Sequence, residues 1–167
     1  MLSVRTATLE DAKLIVAIKE EIVKTTDFFL RLPEDDQETT EEYRKKMRKK
    51  QESGGLTLIA ESNNEVIGFL SFSRSSYKRL YHTGSFGVGI KLEHLNKGVG
   101  TKLLSYLIKW AKEQDGLEKI NLDVFSNNQQ AIHLYKKLGF KEEGKQINQV
   151  RLKDGSYADV IYMALAL

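Results

Sequence analysis

A short glycine loop between a strand and a helix is the feature that most constrains this chain. The loop, Leu95-Asn96-Lys97-Gly98-Val99-Gly100-Thr101, follows a β-like run at 85–90. It precedes apolar residues at the spacing of one helix face: Leu103, Leu104, Leu107, Ile108 and Ala111. The first N–H groups of a helix lack intrahelical partners and lie at the positive end of its dipole. Because Gly98 and Gly100 allow close approach to the backbone and Lys97 adds positive charge, the loop predicts a phosphate or pyrophosphate site.

The two commonest phosphate-binding loops do not match this one. A Walker loop needs a glycine at the position of Leu95, and it needs Gly-Lys-Ser/Thr where Gly100 is followed by Thr101-Lys102. A dinucleotide fingerprint needs a third glycine at the position of Leu103. Taken alone, the loop could equally be a tight strand-to-helix turn that binds nothing.

A second motif follows the apolar strand 120–125. Residues 127–140 read Asn-Asn-Gln-Gln-Ala-Ile-His-Leu-Tyr-Lys-Lys-Leu-Gly-Phe. With the glycine loop, this segment resembles the GNAT N-acetyltransferase superfamily, whose cofactor loop reads Arg/Gln-x-x-Gly-x-Gly/Ala and whose later motif reads Asn-x-x-Ala-Ile-x-Leu-Tyr-x-x-Leu-Gly-Phe. The matching positions are Gly98, Gly100, Asn128, Ala131, Ile132, Leu134, Tyr135, Leu138, Gly139 and Phe140.

The resemblance covers nearly the whole chain, with one departure in the loop. Leu95 stands where the family prefers Arg or Gln, and Asn96 where it often has Gly. The closing segment 154–160, with Met163, is similar to bacterial members that act on small amines or amino-acid derivatives, and Asp123 aligns with a branch that acetylates protein N-termini.

Hydrophobic periodicity predicts the element order β-α-α-β-β-β-α-β-α-β-β over a single domain, residues 1–167. This is an α/β (mixed α+β) fold with a mixed, mostly antiparallel sheet and helices on both faces. The helix after the loop is predicted from Thr101 to Gln114. The last two strands, near 144–153 and 160–166, flank a turn at Asp154-Gly155.

The resemblance implies that the fourth and fifth strands splay apart and that acetyl-CoA lies between them. Its pantetheine arm would pair with free backbone groups of Val88, Gly89 and Ile90. A cofactor lying there would account for the strand glycines Gly84, Gly87 and Gly89, and a β-bulge is the alternative explanation. The full set implied to bind the cofactor is Val88, Gly89, Ile90, Leu95, Asn96, Lys97, Gly98, Val99, Gly100, Thr101, Asn128 and Tyr135.

Tyr135 matches the family tyrosine that serves as general acid to the coenzyme A thiolate, and a phenol keeps its proton at pH 7. Asp123 alternates with Leu122 and Val124 on its strand and lies where the N-terminal acetylating branch carries a glutamate base. The competing interpretations are a buried helix-face aromatic for Tyr135, a surface strand residue for Asp123 and a plain N-cap for Asn128. His82 is a second candidate base.

The need for a base depends on the acceptor. At pH 7 a lysine-like amine costs about 4–5 kcal/mol to deprotonate, whereas a peptide α-amine costs about 1 kcal/mol. The function that the resemblance implies is an N-acetyltransferase that moves the acetyl group of acetyl-CoA to a primary amine of a small molecule or peptide N-terminus by direct attack. The alternative is a non-catalytic acyl-CoA-binding module.

The composition of the chain limits which classes of binding partner and which cellular compartment are expected. The net charge of +3, from 26 basic and 23 acidic residues, is too balanced to indicate a nucleic-acid partner. No run approaches the roughly 18 apolar residues of a membrane span, and no signal pattern opens the chain, so no membrane partner is expected. The absence of cysteine fits a cytoplasmic protein, and a homodimer stays open. His94 and His133 lack carboxylate partners, so no metal is expected.

Two further segments, the basic second helix and the connection before it, each have two interpretations. Arg44, Lys45, Lys46, Arg48, Lys49 and Lys50 make the second helix basic, which indicates either an ordinary solvated face or a surface that steers anionic substrates. In the preceding connection, Phe28 and Phe29 indicate either a pocket wall or loop residues packed onto the core.

Overall fold

The structure, a computed structural model, describes all of residues 1–167 and has the predicted element order. The strands are β1 Leu2–Thr6, β2 Leu56–Ser62, β3 Glu65–Arg74, β4 Thr83–Ile90, β5 Lys119–Phe125, β6 Lys141–Arg151 and β7 Tyr157–Ala166. The α-helices are α1 Ala12–Thr25, α2 Thr40–Glu52, α3 Val99–Lys112 and α4 Gln129–Lys137. None of these helices has the length and apolar character needed to cross a membrane.

One sheet carries all seven strands in the order β1-β2-β3-β4-β5-β7-β6. Every pair is antiparallel except β4 and β5, which are parallel. Their pairing covers only Thr83–Ser85 against Lys119–Asn121. Beyond it, β4 remains paired with β3 to Ile90 and β5 with β7 to Phe125, so two unpaired strand edges face each other. The predicted mixed sheet and its splay between the fourth and fifth strands are confirmed.

Helices cover both faces of the sheet, and alternate strand residues feed two apolar cores. On one face α1 and α2 pack against residues such as Ile59 and Phe69 in a cluster of 10 buried residues. On the other face α3 and α4 pack against residues such as Leu58 and Leu70 in a cluster of 21. The splay therefore opens in the middle of a sheet that is anchored on both sides.

A salt bridge fixes the start of α1. The Asp11 carboxylate is almost fully buried and accepts two hydrogen bonds from the Arg5 guanidinium, at 2.8 and 2.9 Å. It also accepts one from the Thr8 backbone N–H at 2.7 Å. The hydrogen bonds from Arg5 hold the pKa of Asp11 below its ordinary value.

The predicted boundaries of α3, β6 and β7 differ from the structure by two or three residues, and α3 and β6 also end two residues earlier than predicted, at Lys112 and Arg151. Helix α3 begins at Val99, two residues before Thr101, because Gly98 adopts φ 82° and serves as the N-cap. Strand β6 begins at Lys141 rather than 144, and β7 at Tyr157 rather than 160. Because β6 is an edge strand exposed along nearly its whole length, its sequence does not alternate in hydropathy. The predicted turn at Asp154-Gly155 is present, with Gly155 at φ 88°.

Packing, not a cofactor, explains two of the three β4 glycines. A Cβ at Gly84 would lie 2.2 Å from the Phe72 ring, and one at Gly89 would lie 2.6 Å from the Phe69 ring. The prediction that a bound cofactor accounts for them is wrong for these two positions. No bulge interrupts the β3–β4 register either. Gly87 differs, because a Cβ there would meet nothing within 4 Å.

Candidate active site

A cavity of about 400 Å³ occupies the opening between β4 and β5. We call it the splay cavity. Its walls are Phe86, Val88 and Ile90 of β4, residues 123–125 of β5, the loop before α3 and one face of α4. Ten of the predicted cofactor residues line it: Val88, Ile90, Leu95, Asn96, Gly98, Val99, Gly100, Thr101, Asn128 and Tyr135. Lys97 and Gly89 do not.

The N-terminus of α3 is open to this cavity. The first i→i−4 hydrogen bond of the helix runs from the Lys102 N–H to the Gly98 carbonyl at 3.0 Å, so the N–H groups of residues 99–101 have no intrahelical acceptor. Gly98 has no side chain to cap them, and a Cβ at this position would meet nothing within 4 Å. Uncapped donors at the positive end of a helix beside open space can bind an anion.

The neighbouring lysines do not complete that anion site from within the cavity. Lys97 is exposed and outside the cavity lining. Lys102 donates a 2.7 Å hydrogen bond to the Leu2 carbonyl, so its ammonium serves to tie α3 to β1. Gly100 has a packing reason to be glycine, since a Cβ there would lie 2.9 Å from Leu134 of α4. At the loop, the donors that line the cavity are therefore backbone N–H groups rather than lysine side chains.

Tyr135 of α4 lines the splay cavity from within the core. Its side chain is almost fully buried and meets Phe86 and Phe140 edge to face, each with ring centroids 5.9 Å apart. Burial, and secondarily the negative charge of Asp123, raise the pKa of the Tyr135 phenol. The phenol is therefore protonated at neutral pH. The two interpretations of this residue are compatible, because it both packs in the core and faces the cavity.

Asp123 lies on β5 opposite Tyr162 of β7, and its exposed side chain lines the splay cavity. His82, the other candidate base, is exposed just before β4 and lines neither large cavity. Its backbone carbonyl accepts hydrogen bonds from the N–H groups of Glu118 and Lys119. Asp123 is thus the candidate that shares a cavity with Tyr135.

Other predicted residues have structural roles beside the cavity. Asn128 caps α4, its side-chain oxygen accepting a hydrogen bond of 3.4 Å from the Ala131 N–H, and it also lines the cavity. Phe28 and Phe29, from the connection between α1 and α2, form part of the wall. His94 and His133 line it too, and no group of three or more residues that could hold a metal ion is present.

A second cavity of about 490 Å³ lies between α1, α2 and the sheet. We call it the helix cavity. It shares Phe29, Leu30, Phe86, Gly87 and Val88 with the splay cavity, so the two adjoin along β4.

Among the polar residues of the helix cavity, Tyr43 and Ser71 were not singled out from the sequence, and Lys50 was noted only as part of the basic run of α2. A signal for Lys50 was present, since Tyr43, Met47 and Lys50 recur at the i, i+4, i+7 spacing of one helix face.

Comparison with known proteins agrees with this geometry. The family model described as Acetyltransferase (GNAT) family matches residues 20–140. The L-amino acid N-acetyltransferase AaaT of Escherichia coli (strain K12) is 33% identical over 107 residues, which are 64% of this chain and 65% of AaaT. The match thus spans less than two thirds of that relative's length.

Two solved structures match over nearly the full chain. An acetyltransferase of the GNAT family from Streptococcus pneumoniae superposes with a TM-score of 0.93 at 30% identity, covering 100% of both chains. The yncA protein of Salmonella typhimurium, solved with its cofactor acetyl-CoA, superposes with a TM-score of 0.88 at 27% identity, covering 99% of this chain and 94% of yncA. Because the family model matches residues 20–140, well over half of the chain, the chain belongs to the GNAT acetyltransferase family.

Proposed function

We propose that this protein is an acetyl-CoA-dependent N-acetyltransferase that acts on the primary amine of a small molecule or a peptide N-terminus. The observation that carries the proposal is the splay cavity. It combines an uncapped helix N-terminus, an unpaired strand edge and a protonated tyrosine in one opening. The yncA structure, which holds acetyl-CoA, supports the same cofactor here.

The chain's own residues fit each part of that cofactor. The N–H groups of residues 99–101 would hold the pyrophosphate, since they lack helix acceptors and Gly98 leaves the approach open. The unpaired edge of β4, near Val88 and Ile90, would form hydrogen bonds with the amide groups of the pantetheine arm, and the arm would lie along this edge like an added strand. Acetyl-CoA supplies the acetyl group as a thioester when bound.

Tyr135 and Asp123 then divide the proton transfers. Asp123 accepts a proton from the acceptor amine, directly or through one water, as the amine nitrogen forms its bond to the acetyl carbon. Tyr135 donates its phenolic proton to the sulfur as the carbon–sulfur bond breaks. Burial keeps the pKa of Tyr135 above its ordinary value, so the phenol carries its proton at neutral pH, and a positioned general acid contributes about 10²–10⁴-fold to the rate.

The test is release of free thiol from acetyl-CoA in the presence of an amine panel, with the product identified by mass. The proposal expects thiol release that depends on the amine and an acetylated amine in equal amount. Tight acetyl-CoA binding without amine-dependent release from any panel member would instead support a non-catalytic acyl-CoA-binding module. The replacement of the family's Arg or Gln by Leu95 is the feature that favours that second candidate.

A further inference from the structure

The helix cavity contains an excess of positive charge. Lys19, Arg31, Lys46 and Lys50 line it, and Glu38 is the one carboxylate among its lining residues. Glu38 is already paired, because its side chain forms salt bridges with Lys19, at 2.9 Å, and with Lys46. Lys50 forms no salt bridge with any residue of the chain.

Lys50 is held inward, toward the sheet. Its ammonium donates a hydrogen bond to the Ser71 hydroxyl of β3. Burial, aided by the nearby charge of Lys19, lowers the pKa of Lys50. A largely buried ammonium whose partner is a neutral hydroxyl lacks the anion that would offset its desolvation. An anionic group brought into the cavity would provide that partner.

A buried hydroxyl lies in the same place. Tyr43 of α2 is 5% exposed and lines the helix cavity, and its hydroxyl lies close to the Ser71 hydroxyl without making a hydrogen bond of good geometry to it or to any other group. A buried, unsatisfied donor costs about 1–3 kcal/mol unless something binds it. The Tyr43 hydroxyl and the Lys50 ammonium, which line the same cavity, could therefore both donate hydrogen bonds to the oxygen atoms of one ligand group.

The floor of the cavity leaves room for that ligand. Ser71 lies opposite Gly87 in the β3–β4 register, and Ser73 lies opposite Ser85, so four small residues share one face of the sheet. A Cβ at Gly87 would meet nothing within 4 Å. Because Gly87 also lines the splay cavity, this open space joins the two cavities.

We infer that the acceptor amine carries a carboxylate, as an α-amino acid does, and that Lys50, with the hydroxyls of Tyr43 and Ser71, binds that carboxylate. The inference rests on the proposed function. With the acid group bound there, the α-amine, one carbon away, would lie beside Gly87, which is opposite Ser71 and lines both cavities, while Ile22 and Met47 offer apolar contact to a side chain. A polyamine, which has no acid group, would meet the cations of this cavity and bind poorly.

The first experiment compares kcat/KM for methionine, leucine and phenylalanine with kcat/KM for their carboxamides. Wild type should prefer each acid to its amide, although a larger fraction of the amide's less basic amine is unprotonated, and so able to attack, at pH 7. Lys50→Gln should lower kcat/KM for the acids about 10- to 100-fold, as expected for losing a hydrogen-bonded charge, and leave the amides nearly unchanged. Lys50→Arg should recover part of the loss. Lys49→Gln, on the exposed face of α2, is the matched control and should change neither class.

The second experiment separates this inference from the chemistry. Calorimetry with coenzyme A bound measures the affinity for the same acids and amides with no acetyl transfer. Acids that bind wild type at least ten times tighter than Lys50→Gln support the anchor even if no turnover is found. Equal binding of acid and amide to wild type overturns it, and so does an equal loss for both classes in Lys50→Gln. The acid–amide comparison in wild type needs no variant and decides the question if Lys50→Gln does not fold.

Discussion

The side-chain amide of Asn127 donates a 2.9 Å hydrogen bond to the backbone carbonyl of Asp27, one hundred residues earlier in the chain. This bond ties the segment between β5 and α4 to the connection after α1, which forms a wall of the splay cavity. On its other side, the Asp27 carboxylate accepts a 2.9 Å hydrogen bond from the Lys153 N–H, at the end of the β6–β7 hairpin. The Lys153 ammonium also donates to the carbonyls of Val23 and Thr26 at the end of α1.

Asn127→Ala should therefore loosen this wall and weaken acceptor binding. Losing one neutral hydrogen bond of about 1 kcal/mol predicts a rise of about fivefold in the acceptor KM, with acetyl-CoA affinity nearly unchanged. The stability cost should be small, because the side-chain oxygen of Asn127 is buried without a partner and is removed at the same time. Steady-state kinetics checks this, with the exposed Lys136→Ala on α4 as control. An equal loss of affinity for both substrates would contradict it.

Gly98→Asp should weaken acetyl-CoA binding at least tenfold without unfolding the protein. The new carboxylate would stand at the N-terminus of α3, beside the donors assigned to the pyrophosphate, and would repel it. Asp tolerates positive φ better than most residues, and no atom stands within 4 Å of the new Cβ. Gly100→Asp is a poorer test, since its Cβ would approach Leu134. Calorimetric affinity equal to wild type in folded Gly98→Asp would refute this placement.

Tyr135→Phe should lower kcat about 10²–10⁴-fold and leave acetyl-CoA affinity within about twofold of wild type. The substitution removes only the hydroxyl, so the edge-to-face contacts with Phe86 and Phe140 are kept. Single-turnover kinetics with bound acetyl-CoA measures the chemical step. Phe140→Leu perturbs the same aromatic cluster without touching the phenol and is the packing control. If both variants lose the same activity, Tyr135 acts through packing rather than as an acid.

Asp123→Asn should be impaired most at low pH and for the most basic acceptors. At pH 7 a base must remove a proton whose loss costs about 1 kcal/mol for a weakly basic α-amine and about 4–5 kcal/mol for a lysine-like amine. Raising the pH should restore the variant, because solvent then deprotonates the amine. The pH profile of kcat/KM, measured for wild type and for Asp123→Asn, tests whether Asp123 acts as the base. A uniform loss from pH 6 to 9 would indicate positioning rather than proton transfer, and no loss at any pH would remove Asp123 from the mechanism.

The Arg5–Asp11 pair should make stability depend on pH. Because the folded-state pKa of Asp11 is lowered, its stabilisation is fully present above the unfolded pKa of about 4 and is lost as the pH falls through the lower folded value. Asp11→Asn should thus lower the free energy of unfolding by about 2 kcal/mol at pH 7 and by much less under acid conditions. Urea unfolding at pH 7 and pH 3 measures the difference, with exposed Asp36→Asn as control. A difference independent of pH would contradict it.

The parts of the site that sequence predicts are those fixed by local chemistry. Gly98 and the apolar face of α3 specify a strand, loop and helix with little help from the rest of the chain, and Asn128 marks the start of α4 in the same way. The spacing of Lys50 with Tyr43 and Met47 places it on the apolar face of α2, but the sequence does not show what it meets there, because lysine on a helix is normally solvated and only packing of α2 against Ser71 encloses it. The reason for glycine at position 89 was predicted wrongly on similar grounds. The Phe69 ring, which leaves no room for a Cβ at Gly89, lies on another strand, so the sequence around Gly89 does not show it.

The short β4–β5 contact has a consequence for how the molecule holds together. Only three residue pairs join the sheet half β1–β4 to the half β5–β7, so this seam is the weakest line of backbone pairing through the centre of the protein. A ligand that lies along the unpaired edges closes the seam with hydrogen bonds and, at a hundred times its Kd, adds about 2.7 kcal/mol of stability. Binding of such a ligand would slow amide hydrogen exchange in residues 86–90 and raise the melting temperature of the protein. Acetyl-CoA bound as proposed would supply the pairing that the sheet lacks at its centre.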